Sequence, residues 1–196
     1  MTGSSELAAP VGTVRRAKFR VPRLRRSSVA RTALLARLEA AVLDCVFVGV
    51  VAPAGFGKTT LLVQFADAVA APDRVVWVSL DADDDDPIRF IASLVEAVEP
   101  LGLHWRESPR ELVANLAAGG RQGRAAIGAL VDALDAAAAG RLALVLDDLH
   151  RVSNTEVHAL IETLVERAPD GFTLLASSRT PPPLPVARWR IGGVVL

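Results

Sequence analysis

The residues Ala52-Pro53-Ala54-Gly55-Phe56-Gly57-Lys58-Thr59 carry the types and the spacing that hold a phosphate chain. Gly55 and Gly57 let the backbone curl so that successive N–H groups point into one concavity. Those donors open a helix, and a helix N-terminus favours an anion. Lys58 can reach the β- and γ-phosphates of a nucleotide as a point charge. Thr59 offers a hydroxyl to Mg2+, and Thr60 belongs to the same helix start. Lysine usage sharpens the reading: of 22 basic residues only Lys18 and Lys58 are lysine. Arginine serves wherever a generic positive charge will do, and the two differ at a phosphate site. The plain alternative is a glycine turn with a surface lysine; an apolar strand before the loop and helical spacing after it favour phosphate.

A phosphate loop needs an acid at the end of another buried strand to hold a metal ion. Leu142 to Leu146, followed by Asp147-Asp148, supplies one. Asp147 is expected to contact Mg2+ through water, and Asp148 to polarise an attacking water as general base. Capping of the next turn is the structural alternative for both. His150 would sense a γ-phosphate, orient Asp148, or stand as an ordinary loop histidine. Ser177-Ser178-Arg179 ends a fourth strand candidate. Beside the phosphate-loop strand these residues would face the γ-phosphate, with Arg179 neutralising charge that develops on transfer; a salt bridge is the alternative. His104 and His158 have no partners that sequence can name and read as ordinary.

The elements that must position these groups follow from periodicity. Arg31 to Val42 reads as a helix, with Leu34, Leu35, Leu38 and Val42 on one side. Cys45 to Val51 is a continuous apolar run, as a buried parallel strand requires. Thr59 to about Ala70 is helical, Arg74 to Leu80 a second strand, and Asp86-Pro87 caps and opens a helix to about Val98. Less regular sequence from Gly102 to Arg124 holds a short helix near Arg110 to Ala117. Ala125 to Ala138 is helical, Leu142 to Leu146 the third strand, Asn154 to Arg167 a helix, and Phe172 to Ala176 the fourth strand. Thr180 to Pro185 is a proline-rich loop, and Ile191 to Leu196 resembles a fifth strand. Alternating strands and helices predict an α/β fold with a parallel sheet covered on both faces.

Composition bounds the rest. A chain of 196 residues, 51% hydrophobic and 22% charged, can bury a core as one domain with appendages. Its apolar runs are too short to span a bilayer, and no N-terminal apolar segment marks a secretory leader. A single cysteine, Cys45, excludes an internal disulfide, and no His/Cys cluster has metal-ligand spacing. The cytoplasm is the expected compartment. Zero net charge hides an asymmetry: residues 1–31 hold eight Lys/Arg against Glu6 alone, and the remainder is acidic. Residues 1–28 are read as a basic, partly disordered arm, with Phe19 its one aromatic; direct nucleic-acid binding through it is a rival reading. The acidic run Asp81 to Asp86 lacks the glycine and glutamate spacing of a calcium loop and is read as a solvated turn with a helix cap.

Several of these segments, in this order, resemble the ATPase module of the MalT-like regulators, LuxR-type transcription activators of the STAND class. They are Lys18-Phe19-Arg20-Val21-Pro22, Val29-Ala30-Arg31, the loop Ala52 to Thr59 with Thr60-Leu61-Leu62, and Val76 to Asp81. Asp86 to Phe90, Leu146 to His150, Ser178-Arg179 and Pro183-Leu184-Pro185 complete the set. Leu149 stands where that family usually has an aromatic. The resemblance covers residues 18–196 and implies a P-loop NTPase three-layer sandwich, with a parallel sheet of about five strands flanked by helices, over 29–196. It implies that the fourth strand lies between the phosphate-loop strand and the Asp147 strand. Arg179 would then be a sensor at the nucleotide, and Arg31 would help close the nucleotide site. It further implies ATP or ADP with Mg2+ as ligands, slow hydrolysis that resets a switch, and self-association of the full-length protein in the ATP state. DNA would be bound only through other domains. The chain stops inside an apolar run before any sensor or DNA-binding segment, so a fragment with an exposed, aggregation-prone edge is expected. A rapidly cycling AAA-like motor is the remaining rival, and a small-molecule kinase a weaker one.

Overall fold

A computed structural model describes residues 16–24, 29–71, 73–117, 123–137 and 140–191. After a 3-10 turn at Arg16–Phe19, α1 (Thr32–Asp44) leads into β1 (Phe47–Val51), and α2 (Lys58–Ala68) into β2 (Arg74–Ser79). Helices α3 (Pro87–Val98), α4 (Pro109–Ala117) and α5 (Gly123–Ala136) precede β3 (Leu142–Asp147). Then come α6 (Thr155–Glu166), β4 (Phe172–Ser178) and α7 (Val186–Ile191). The predicted elements recur within a few residues at each end. The apolar runs of β3 and β4 are buried almost throughout, as central strands of a covered parallel sheet are.

Among the described residues four strands form one parallel sheet in the order β1-β4-β3-β2. The position of β4 between β1 and β3 is the one expected. Alternate side chains point to opposite faces of a strand, and parity sorts the core. Val76, Val78, Leu144, Leu146, Leu174 and Ala176 pack with α3, α5 and α6. Trp77, Ala143, Val145 and Leu175 pack with Leu38 of α1 and Leu62 and Phe65 of α2. The result is three layers, with the strands' C-terminal ends converging on one edge.

Helix starts follow local chemistry. Asp86 accepts from Arg89 N at 2.9 Å, with Pro87 as the first residue of α3. Asn154 caps α6 by accepting from Glu156 N at 2.8 Å. One helix was not foreseen: after the proline loop, α7 seats Trp189 on Phe47 with ring centroids 5.2 Å apart. The strand predicted at Ile191 to Leu196 lies outside the described residues, except for Ile191, which closes α7.

One reading of the charged segments is corrected. The acidic run is a capped turn with Asp81, Asp83 and Asp86 exposed, but it is not solvated throughout: Asp84 is 0% exposed. Lys18 Nζ donates to Asp84 Oδ2 and lies 3.6 Å from Asp81 Oδ1. Ser93 Oγ and Asp81 N donate to the same carboxylate, each at 2.8 Å. Asp85 takes backbone donors from Ser153 at 2.6 Å and Asn154 at 2.8 Å, which hold its carboxyl below the usual range. The run therefore bolts three segments together, because a carboxylate withdrawn from water needs partners. The arm is accordingly folded over part of its length, and Lys18 is buried rather than presented to solvent.

Candidate functional site

The phosphate-type loop begins where β1 ends. Val51 is in register with Ser178 of β4, and Ala52 N donates to Ser178 O at 3.2 Å. Gly55 (φ 80°) and Gly57 (φ 76°) adopt left-handed backbone, which a side chain there would strain. Gly57 caps α2, and the first intrahelical bond runs from Leu61 N to Gly57 O at 3.0 Å. The N–H groups of Lys58, Thr59 and Thr60 thus have no partner within the helix, as at any helix start. Lys58 is buried, and its ammonium lies across the loop, donating to Ala52 O at 2.7 Å and Pro53 O at 3.1 Å. Pro53, Ala54 and Phe56 are exposed.

Asp147 stands at the end of β3. Thr59 Oγ1 donates to its two carboxylate oxygens at 3.1 and 2.9 Å, and Ser177 Oγ donates to Oδ1. Burial pushes the Asp147 carboxyl above the usual range, while the bonds from Ser177 and Thr59 pull the other way. A divalent cation fits this pair. Both side chains are hard oxygen donors, Thr59 keeps its lone pairs free while it donates, and a positive charge would offset the burial of the carboxylate. Among the described residues no group of three or more His, Cys, Asp or Glu is placed to hold a metal alone.

Asp148 is the one non-glycine with positive φ, 64°, among the described residues. Its N–H donates to Ser177 Oγ at 2.9 Å. Its carboxylate lies 3.7 Å from both His150 Nδ1 and Arg151 Nε. His150 Nδ1 is buried without a hydrogen-bond partner. Burial lowers the His150 pKa from 6.5; Asp148 opposes this, and the positive charges of Arg179, Arg151 and Lys58 add to it.

Arg31, ahead of α1, lays its guanidinium on the loop: a Cβ at Gly57 would come within 3.2 Å of its Nη2. Arg179 follows β4 as an exposed residue on the His150 side. The structure therefore gathers Arg31, the loop, Lys58, Thr59, Asp147 and Asp148 at one edge, with Arg179 beside them. One supporting residue was not singled out from sequence. Gln64 of α2 pins the segment before α1, donating to Val29 O at 3.0 Å and accepting from Arg31 N at 3.4 Å. Ser177 contacts Asp147 rather than facing open space, whereas Ser178 Oγ is buried with no partner. Ser177 was placed at this edge by its position at the end of β4, though not its bond to Asp147; nothing in the spacing marks Gln64.

Comparison with known proteins gives a consistent placement. The family model described as the AAA ATPase domain matches residues 27–176. The HTH-type transcriptional regulator MalT of Yersinia enterocolitica is 35% identical over 143 residues, which is 71% of this chain and 15% of that protein. The serine/threonine-protein kinase PknK of Mycobacterium tuberculosis is 31% identical over 142 residues, 72% of this chain and 12% of the kinase. The chain thus spans a small part of the length of these relatives. Among solved structures, a Walker-type ATPase of Pyrococcus abyssi superposes with a TM-score of 0.52 at 14% identity, covering 80% of this chain and 47% of the other. That likeness concerns the fold. No helix of the described residues is long and apolar enough to cross a membrane.

Proposed function

Because the chain belongs to the AAA ATPase domain family, we propose that it is the ATP-binding, slowly hydrolysing switch domain of a signal-responsive transcription regulator. The observation that carries the reading is the contact of Thr59 with Asp147 beside an ammonium held only by carbonyls. Phosphate would draw Lys58 from the Ala52 and Pro53 carbonyls, and the N–H groups from Gly55 to Thr60 would cradle the chain. Thr59 and Asp147 would hold Mg2+, which spreads the charge of the β- and γ-phosphate oxygens. Asp148 would take the proton of the attacking water as it is aimed at the γ-phosphate, and Arg179 would meet that phosphate. Arg31, lying on Gly57, would close the nucleotide side.

The value of such a site as a switch is differential affinity: a contact made with ATP and not with ADP shifts an equilibrium by what that contact contributes. Relatives named a transcription regulator and a protein kinase share this segment with the chain. That favours a module whose nucleotide state serves different outputs over a motor dedicated to one. Self-association in the ATP state belongs to the same proposal. DNA recognition is assigned to other parts of such a regulator, since Lys18 of the basic arm is engaged with Asp84. The test is calorimetric titration with ATP and ADP in Mg2+, followed by single-turnover hydrolysis. Micromolar binding with turnover over minutes supports the switch. Turnover in about a second or less moves the reading to a motor, within the range of ordinary enzymes. A folded chain that binds neither nucleotide overturns it.

A further inference from the structure

We propose that Ser177 is a positioning residue that ties β4 to the acidic end of β3, fixing the Asp147 carboxylate and the left-handed backbone of Asp148 together. The inference rests on the nucleotide reading above. Ser177 is 0% exposed, and its hydroxyl is engaged in both directions. It donates to Asp147 Oδ1 and accepts from Asp148 N, the latter at 2.9 Å. A hydroxyl can do both at once, and alanine can do neither.

Each end of this bridge needs it. Asp147 is a buried carboxylate whose other side-chain donor among the described residues is Thr59, the hydroxyl that the reading assigns to the metal. Ser177 engages Oδ1 from the opposite strand, so the carboxylate keeps one orientation while Thr59 serves the cation. Asp148 sits at φ 64°, a conformation that persists in a non-glycine only where the surroundings over-determine it. Its N–H is held by the same oxygen. Arg179 lies two residues along the same strand end. A displacement of that end toward a γ-phosphate is therefore carried by Ser177 to the metal carboxylate and the general base in one movement. Ser177 lies near the end of β4 and Arg179 directly follows that strand, and this couples what Arg179 meets to where Asp147 and Asp148 point.

The experiment uses Ser177→Ala and Ser177→Thr in the 196-residue chain, with two readouts. The first needs no ligand: amide exchange at Asp148, resolved by NMR, should speed up about tenfold in Ser177→Ala, the loss of one local protecting bond. Exchange at Ala176 and Leu146 stays as in the wild type, and Ser177→Thr restores Asp148. The second is the gain in ATP affinity on adding Mg2+. It should fall about tenfold in Ser177→Ala, as expected for a lost hydrogen bond to a charged group, while Mg2+-free affinity is unchanged. Ser177→Cys keeps the volume with a much weaker donor and gives the same reading should alanine fail to fold. Wild-type exchange at Asp148 in a folded Ser177→Ala overturns the proposal. So does faster exchange spread evenly over β3 and β4, which marks a merely structural residue. A wild type that binds no ATP removes the nucleotide reading, and the ligand-free exchange still decides the Ser177 contact.

Discussion

The chain's two lysines are equally withdrawn from water, each 8% exposed, yet they are held in opposite ways. Lys18 meets the fully buried Asp84 and has Asp81 nearby, so its charge is cancelled where it stands. Lys58 donates only to the carbonyls of Ala52 and Pro53, and no ion pair among the described residues includes it. Carbonyl dipoles orient an ammonium without neutralising it. The difference separates a bolt from a socket: the first site is complete in itself, and the second leaves a positive charge beside unpaired helix N–H groups. The carboxylates follow suit. Asp84 is compensated on both oxygens, whereas Asp147 carries a pKa raised by burial. The functional edge is where the fold leaves charge unfinished.

The contrast can be broken most sharply at the bolt. Lys18→Met leaves Asp84 buried without its counter-ion and should cost about 3–5 kcal/mol of unfolding free energy, the usual penalty for breaking a buried pair from one side. Urea denaturation measures it. Adding Asp84→Leu should recover most of the loss, because an apolar pair avoids the desolvation problem. No recovery would mean that Ser93 and Asp81 need Asp84 more than Lys18 does.

At the socket, neutralising the acid should act the other way. The Asp147 carboxyl is raised above 3.8, so its ionised form is a cost to the folded state near neutral pH. Asp147→Asn should raise the melting temperature of the ligand-free chain, because a neutral amide avoids the desolvation cost of the buried carboxylate. The Mg2+-dependent part of ATP affinity should vanish in the same variant. Differential scanning calorimetry and titration read the two effects on one sample.

The smallest effect lies between the two sites. The Asp85 carboxyl is held below 3.8 by the backbone N–H groups of Ser153 and Asn154. A group depressed on folding stabilises above its unfolded pKa, and that stabilisation fades as pH falls through the folded value. The melting-temperature advantage of wild type over Asp85→Asn should therefore be constant above about pH 5 and shrink below 3.8. Thermal melts across that range check the direction.

Legibility from sequence divides along the same line. The loop, its lysine and threonine, and the acid closing β3 were readable because phosphate and Mg2+ demand fixed residue types at fixed spacing next to a strand and a helix. Short continuous apolar runs alternating with helical segments were enough for the covered sheet. The Lys18–Asp84 bolt joins residues 66 apart in sequence, and a run of aspartates looks the same whether it is solvated or buried. Which one is buried depends on where α3 places Ser93. Ser177 was read at the γ-phosphate edge without its Asp147 partner, and Gln64 escaped altogether, for a related reason. A serine in an apolar strand and a glutamine on a helix have many ordinary uses, and only the register of β4 or the fold of residues 29–31 gives them partners. Trp189 was hidden behind four prolines that read as loop.

The measurement closest to the central claim compares Lys58→Met with Lys18→Met, each assayed for ATP affinity by calorimetry and for stability by urea denaturation. Lys58→Met should weaken ATP binding on the order of 100-fold, the worth of strong charge-assisted hydrogen bonds, with unfolding free energy within about 0.5 kcal/mol of wild type, as for changes that break no structural pair. Lys18→Met should lose stability while its folded fraction binds ATP within about threefold of wild type, a difference below 1 kcal/mol. If Lys58→Met binds ATP as the wild type does, or if both lysines affect binding and stability alike, the distinction between bolt and socket is wrong and the phosphate site lies elsewhere.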